Sequence, residues 1–258
     1  MKKNDPLIQT LLTLTLLCGA LTAAMALVSS LIANDIALPT DGGVGLDAGT
    51  INGEITVVID AGHGGEDGGT QSDDGTLEKD INLSISMKLE NILNTEGFST
   101  VMVRTDDRMI YDEDADTVRS RKSSDLHNRM KIMKQYSDCV FVSIHQNYYT
   151  ESKYSGAQVF YRPNDESSRI LADSIQKSIV SSLQKDNTRQ IKQCTSSVYL
   201  IYNASSTAVM VECGFLSNNA EAEKLKNDDY QNSMAVAIAD GIKYYLVNKE
   251  VNPDGKQN

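Results

Sequence analysis

Two histidines, each at the end of a short apolar run, are the residues of this chain best placed to do chemistry. His63 lies in residues 55–69 (ITVVIDAGHGGEDGG) and His145 in residues 142–147 (VSIHQN). Between them, residues 77–83 (LEKDINL) offer Glu78. Two imidazoles and a carboxylate are a donor set that suits zinc and leaves a fourth coordination position for water, as a hydrolytic site requires. Residues 208–218 (AVMVECGFLSN) put a lone carboxylate, Glu212, into an apolar run. A carboxylate there is desolvated unless a charge or metal compensates, which makes Glu212 a candidate general base.

Each of these residues also has a plainer reading. Glycines around His63 let the chain turn sharply after a strand, and such turns also bind phosphate. The GxGxxG order and the P-loop lysine that would carry that reading are absent. Glu78 can be an ordinary acid at a helix start, and Glu66, Asp67, Asp73, Asp74 and Asp80 compete with it as ligands. Glu212 can belong to a buried structural ion pair. His127, within a helical stretch, reads as a surface or packing residue, and Arg104 and Arg129 as structural partners for nearby carboxylates.

The elements that hold these side chains alternate. Strands are expected at 55–60, 99–104, 140–144, 158–161, 198–202 and 208–212, and helices at 82–96, 124–136, 167–184 and 229–247, from the spacing of their apolar residues. Gly97 closes the first helix. This alternation predicts an α/β layered domain with a central, mostly parallel sheet and helices on both faces. His63, His145 and Glu212 then sit at or just beyond strand ends, where loops converge into a site. The charged stretch 106–124 reads as a solvated loop, or as a lid over a ligand.

A formal charge of −11 argues against nucleic acid and against an anionic membrane surface as ligands. Four cysteines are too few for a disulfide scaffold, and Cys139, Cys194 and Cys213 read as buried thiols. Residues 7–33 carry no charge and follow Lys2 and Lys3, so they read as a transmembrane or signal-anchor helix with the remainder outside the cytoplasm. Ala24-Met25-Ala26 offers a cleavage site, but the apolar run continues past it, which favours an uncleaved anchor. Cys18 follows Leu17 rather than a small residue, which argues against lipidation. Residues 34–53 read as a linker, 54–247 as the catalytic domain and 248–258 as a polar tail.

The four stretches, in this order, resemble the zinc-dependent N-acetylmuramoyl-L-alanine amidases of bacterial cell walls, the amidase_3 family. Within the family, Glu78-Lys79-Asp80, Ser120-Arg121-Lys122 and residues 155–160 (SGAQVF) are most similar to the germination-specific, spore-cortex branch. The resemblance implies His63, Glu78 and His145 as zinc ligands and Glu212 as the catalytic base. It implies hydrolysis of the amide between the lactyl group of N-acetylmuramic acid and L-alanine in peptidoglycan. It also implies action outside the cytoplasm, in cortex maturation with muramic lactam formation. Because no separate wall-binding module is visible in the sequence, an anchor or an accessory protein is expected to place the enzyme, and an accessory protein is one candidate for completing its site. The loop after His145 departs from the family, with Gln146 and Asn147 followed by the bulky pair Tyr148 and Tyr149. A zinc peptidase cutting within the stem peptide, or a non-catalytic wall-binding protein, are the competing expectations.

Overall fold

The computed structural model describes residues 55–136 and 138–251. The expected anchor at 7–33, the linker at 34–53 and the last residues of the tail lie outside them. Among the described residues no helix is long and apolar enough to cross a membrane.

Six strands form one sheet: β1 Thr56–Ala61, β2 Ser99–Met102, β3 Val140–Asn147, β4 Gln158–Tyr161, β5 Lys192–Gln193 and β6 Thr207–Phe215, in the order β2-β1-β3-β6-β4-β5. β2, β1, β3 and β6 run parallel, and β4 pairs antiparallel with β6. The helices are α1 Glu78–Thr95, α2 Val118–Gln135, α3 Glu166–Ser182, α4 Tyr199–Tyr202, α5 Asn219–Lys226 and α6 Asp228–Val251.

Strand residues alternate between two cores, as the pleat requires. Val57, Ile59, Val142, Ile144, Val209 and Val211 bury one face under α1, α3 and α6. Val58, Phe141, Ala208 and Met210 bury the other under Met130 and Met133 of α2 and Leu200 and Ile201 of α4. Near-continuous burial on both faces explains why these strands read as apolar runs. It also places Asp60, Ser143, His145 and Glu212, each an even number of positions along from that second set, on the α2 side.

Three expectations need correction. Residues 198–202 are not a strand: Tyr199–Tyr202 is one helical turn, which buries Leu200 and Ile201 side by side in the second core and leaves Tyr202 exposed. α2 begins at Val118, not 124, nucleated by a capping box in which the Thr117 side chain accepts from the Ser120 amide and the Ser120 hydroxyl accepts from the Thr117 amide. The stretch 106–124 is therefore helical from Val118 on, and the part before it includes a brace. Asp107 accepts from the Gly65 amide at 2.7 Å and from the Lys79 ammonium at 2.6 Å, holding the segment against the turn that bears His63. Helix α5, capped by the Asn218 side chain, and the short edge strand β5 lie outside the expected elements.

Candidate metal centre and active site

The turn after β1 is fixed by two buried arginines. Arg104 donates to the carbonyls of Ala61 (2.8 Å), Gly62 (3.0 Å) and Lys79 (2.9 Å), so its partners are backbone oxygens rather than the expected carboxylate. Arg129 donates to Asp60 (2.6 Å), Asp125 (2.7 Å) and the carbonyl of His63 (2.7 Å). Burial disfavours its charge, but the two carboxylates outweigh burial and raise its pKa. Between these clamps His63 adopts φ 62°, a left-handed conformation that a non-glycine residue keeps only when its surroundings enforce it.

Inside that turn the imidazole is oriented from behind. His63 Nδ1 lies 2.9 Å from the Asp67 carboxylate, and Lys122 pairs with the same carboxylate at 3.1 Å. A carboxylate on one ring nitrogen fixes the tautomer and aims the other nitrogen outward. His63 Nε2 accordingly faces Glu78 Oε1 at 3.3 Å. His145 brings its Nδ1 to the same oxygen at 2.9 Å. The amides of Thr70 (2.8 Å) and Gln146 (3.1 Å) and the Asn82 side chain (3.3 Å) donate to the Glu78 carboxylate. Two glycines make the approach: a Cβ on Gly62 would lie 2.3 Å from the His145 ring, and one on Gly69 would lie 2.5 Å from Glu78 Oε2 and 2.7 Å from the His63 ring.

His63, Glu78 and His145 thus converge, with their donor atoms all within 4.8 Å of one another. Tetrahedral zinc with bonds of about 2 Å needs donors about 3.3 Å apart, and the observed 2.9 and 3.3 Å approach that spacing. The electrostatics favour a positive charge here. Burial opposes a charge on His63, but the hydrogen bonds and charges of Asp67 and Glu78 outweigh it and raise its pKa to about 9. Burial alone would raise the Glu78 carboxyl, whereas His145 and His63 hold it far below the usual range. The donor set and its surroundings fit a divalent cation.

Glu212 stands on β6, paired in register with His145 on β3. Its Oε2 is shut off from solvent and has no hydrogen-bond partner. Burial raises its pKa to about 7, with the Glu78 charge pushing the same way against the pull of His145, His63 and Arg189. A carboxyl that exchanges a proton near neutrality is suited to general acid-base work. Its neighbour Cys213 points into the opposite core, and burial raises that thiol's pKa.

Of the remaining expectations, His127 lies exposed on α2, its Nδ1 2.7 Å from the Ser123 carbonyl and its ring against Tyr199. Tyr148 and Tyr149 are half exposed, and Tyr149 meets Tyr154 edge to face at 4.9 Å. A small cavity beside the histidines is lined by Asp60, Asp67, Lys122, Asp125 and Arg129. A larger cleft of about 780 Å³ runs along α3, and none of the four candidate residues lines it. Asp67, Asn82 and Gln146 hold the candidate ligands, yet only Asp67 carries a trace in sequence, four residues past His63.

A family model described as N-acetylmuramoyl-L-alanine amidase, Amidase_3, matches residues 57–244. The germination-specific N-acetylmuramoyl-L-alanine amidase of Bacillus subtilis (strain 168) is 32% identical over 208 residues, covering 79% of this chain and 84% of that protein. The CwlD amidase from Clostridioides difficile, solved in complex with the GerS lipoprotein, is similar with a TM-score of 0.73 at 38% identity, over 75% of this chain and 99% of that one. AmiC2 of Nostoc punctiforme, another N-acetylmuramoyl-L-alanine amidase, gives a TM-score of 0.65 at 30% identity, over 76% and 98% of the two chains. The chain belongs to the Amidase_3 family of N-acetylmuramoyl-L-alanine amidases.

Proposed function

We propose that this amidase is zinc-dependent and separates stem peptides from cortex peptidoglycan during spore formation, with His63, Glu78 and His145 as metal ligands and Glu212 as the catalytic base. The observation that carries the chemistry is the convergence of those three donors beside a carboxylate whose Oε2 is shut off from solvent and unpartnered. Bound zinc supplies Lewis acidity, lowering the pKa of a water and polarising a carbonyl oxygen.

The residues of the chain do the rest. Asp67 keeps His63 in the tautomer that presents Nε2 to the site, and the Thr70 and Gln146 amides hold the Glu78 carboxylate in place. Glu212 takes a proton from the attacking water as its oxygen adds to the lactyl carbonyl. The same carboxyl returns that proton to the amine as the carbon–nitrogen bond breaks, freeing the lactyl carboxylate and the L-alanine amine. Burial of Oε2 excludes bulk water, so the proton is kept for the leaving group.

Setting and partners follow from the relatives. Similarity to a germination-specific amidase supports a spore-cortex role, upstream of muramic lactam formation. The C. difficile relative was solved with a lipoprotein, which supports an accessory protein for this chain too. Residues 7–33 would tether the domain outside the cytoplasm. The test of the reaction is mass spectrometry of peptidoglycan digested with zinc-loaded protein. Muramic acid freed of peptide, with stem peptides beginning at L-alanine, is the expected result; cuts within the stem peptide would establish a peptidase instead. Deleting the gene should remove muramic lactam from the cortex.

A further inference from the structure

Arg189 stands apart from the other partly or fully buried arginines. Arg121, Arg129 and Arg162 pair with carboxylates and Arg104 is saturated by carbonyls. Arg189 forms no ion pair among the described residues. One hydrogen bond, 2.7 Å from Nη2 to the Gln158 side chain, and a stack of its guanidinium on the Phe215 ring at 4.8 Å hold it in position. Its Nε is buried without an acceptor.

Those two contacts locate it. Gln158 is the residue of β4 that pairs in register with Glu212, and Phe215 ends the strand that carries Glu212. Gln158 is itself anchored by donating to the Gln190 carbonyl at 2.7 Å. The cation is therefore fixed next to the proposed base, on the side away from His63, because β6 and β4 follow β3 in the sheet. A guanidinium whose plane is set by an aromatic face offers a fork that matches a carboxylate, and its bonds to an ionised acceptor are about twice as strong as neutral ones.

The substrate named above has its charge on one side of the scissile bond. The sugar hydroxyls and acetamido group are neutral, and the lactyl carboxyl is tied up in the amide. The first free carboxylate belongs to the residue after L-alanine. We propose that Arg189 binds this stem-peptide carboxylate and selects stem peptides that carry it unmodified; this rests on the amidase reading above.

The test uses the full zinc-loaded chain on glycan strands whose stem peptides carry the D-glutamate α-carboxyl either free or as the carboxamide. Wild type should favour the free acid by about tenfold or more in kcat/KM, mainly through KM. Arg189→Met, which keeps the packing on Phe215, should bring that ratio close to one, and Arg189→Lys should restore part of it. Equal cleavage of both substrates by wild type would overturn the assignment even if the variants fail to fold. So would a Met variant that retains the wild-type ratio. Wild type that frees no peptide from either substrate would instead overturn the amidase reading itself.

Discussion

His145 and Glu212 stand directly opposite each other in the parallel register of β3 and β6. Backbone hydrogen bonds between two buried strands therefore fix the spacing of the proposed metal ligand and the proposed proton acceptor, with no loop between them. The register shifts immediately afterwards, between His145 and Asn147, and pairing resumes at Asn147 and Phe215 before the strand ends.

Asp67→Asn should weaken zinc binding by roughly 10–100-fold, the usual consequence of losing a carboxylate behind a ligating histidine. Competition with a fluorescent chelator measures this directly. Lys122→Ala, which removes only the exposed ion pair to Asp67, should change affinity far less.

Gly62→Ala should damage the site through space rather than backbone strain. The new methyl would fall 2.3 Å from the His145 ring, so the ring must move off its present position. Zinc affinity should drop while far-UV circular dichroism stays that of the parent. Retention of full affinity would mean that the His145 ring does not need its present position.

The Asp60–Arg129–Asp125 cluster should make stability depend on pH. Burial alone would raise the Asp60 carboxyl, but the Arg129 charge and the Ser143 hydroxyl outweigh it and hold the pKa below its ordinary value. A depressed carboxyl contributes stability that is fully present above the unfolded pKa of about 3.9 and is lost as pH falls through the lower folded value. Asp60→Asn should therefore cost about 3–5 kcal/mol at pH 7, roughly 6–20 °C in Tm. The gap to wild type should narrow as the pH is lowered past about 4. Thermal melts of the metal-free protein from pH 7 to 3 provide the check.

Most strands, and His63, His145 and Glu212 as candidates, were legible because buried parallel strands are continuous apolar runs, and polar residues at their ends stand out. His63, His145 and Glu212 each interrupt such a run. Glu78 does not stand out by residue type or spacing, being one acid among several; the family resemblance singles it out, and the folded turn, with the Thr70 amide and both imidazoles aimed at it, separates it physically from Asp73 or Asp80. The start of α2 was hidden because residues 118–123 (VRSRKS) lack apolar periodicity, although Thr117 and Ser120 spell its cap. Arg104 was misread because a cation suggests a carboxylate, whereas buried backbone carbonyls such as those of Ala61 and Gly62 need donors just as much. Asn82 and Gln146 are ordinary polar residues in sequence and acquire meaning only where α1 crosses the end of β3.

Zinc titration of Glu212→Gln, followed by turnover, tests the division of labour most directly. Glutamine keeps the size of the side chain but cannot accept the water's proton. Zinc should stay bound at one equivalent while turnover falls by about 100-fold to 10,000-fold. Glu78→Gln, measured alongside, should lose zinc first and recover part of its activity in excess metal. A Glu212→Gln protein that loses its zinc, or turns over near the wild-type rate with zinc bound, would contradict the role assigned to Glu212.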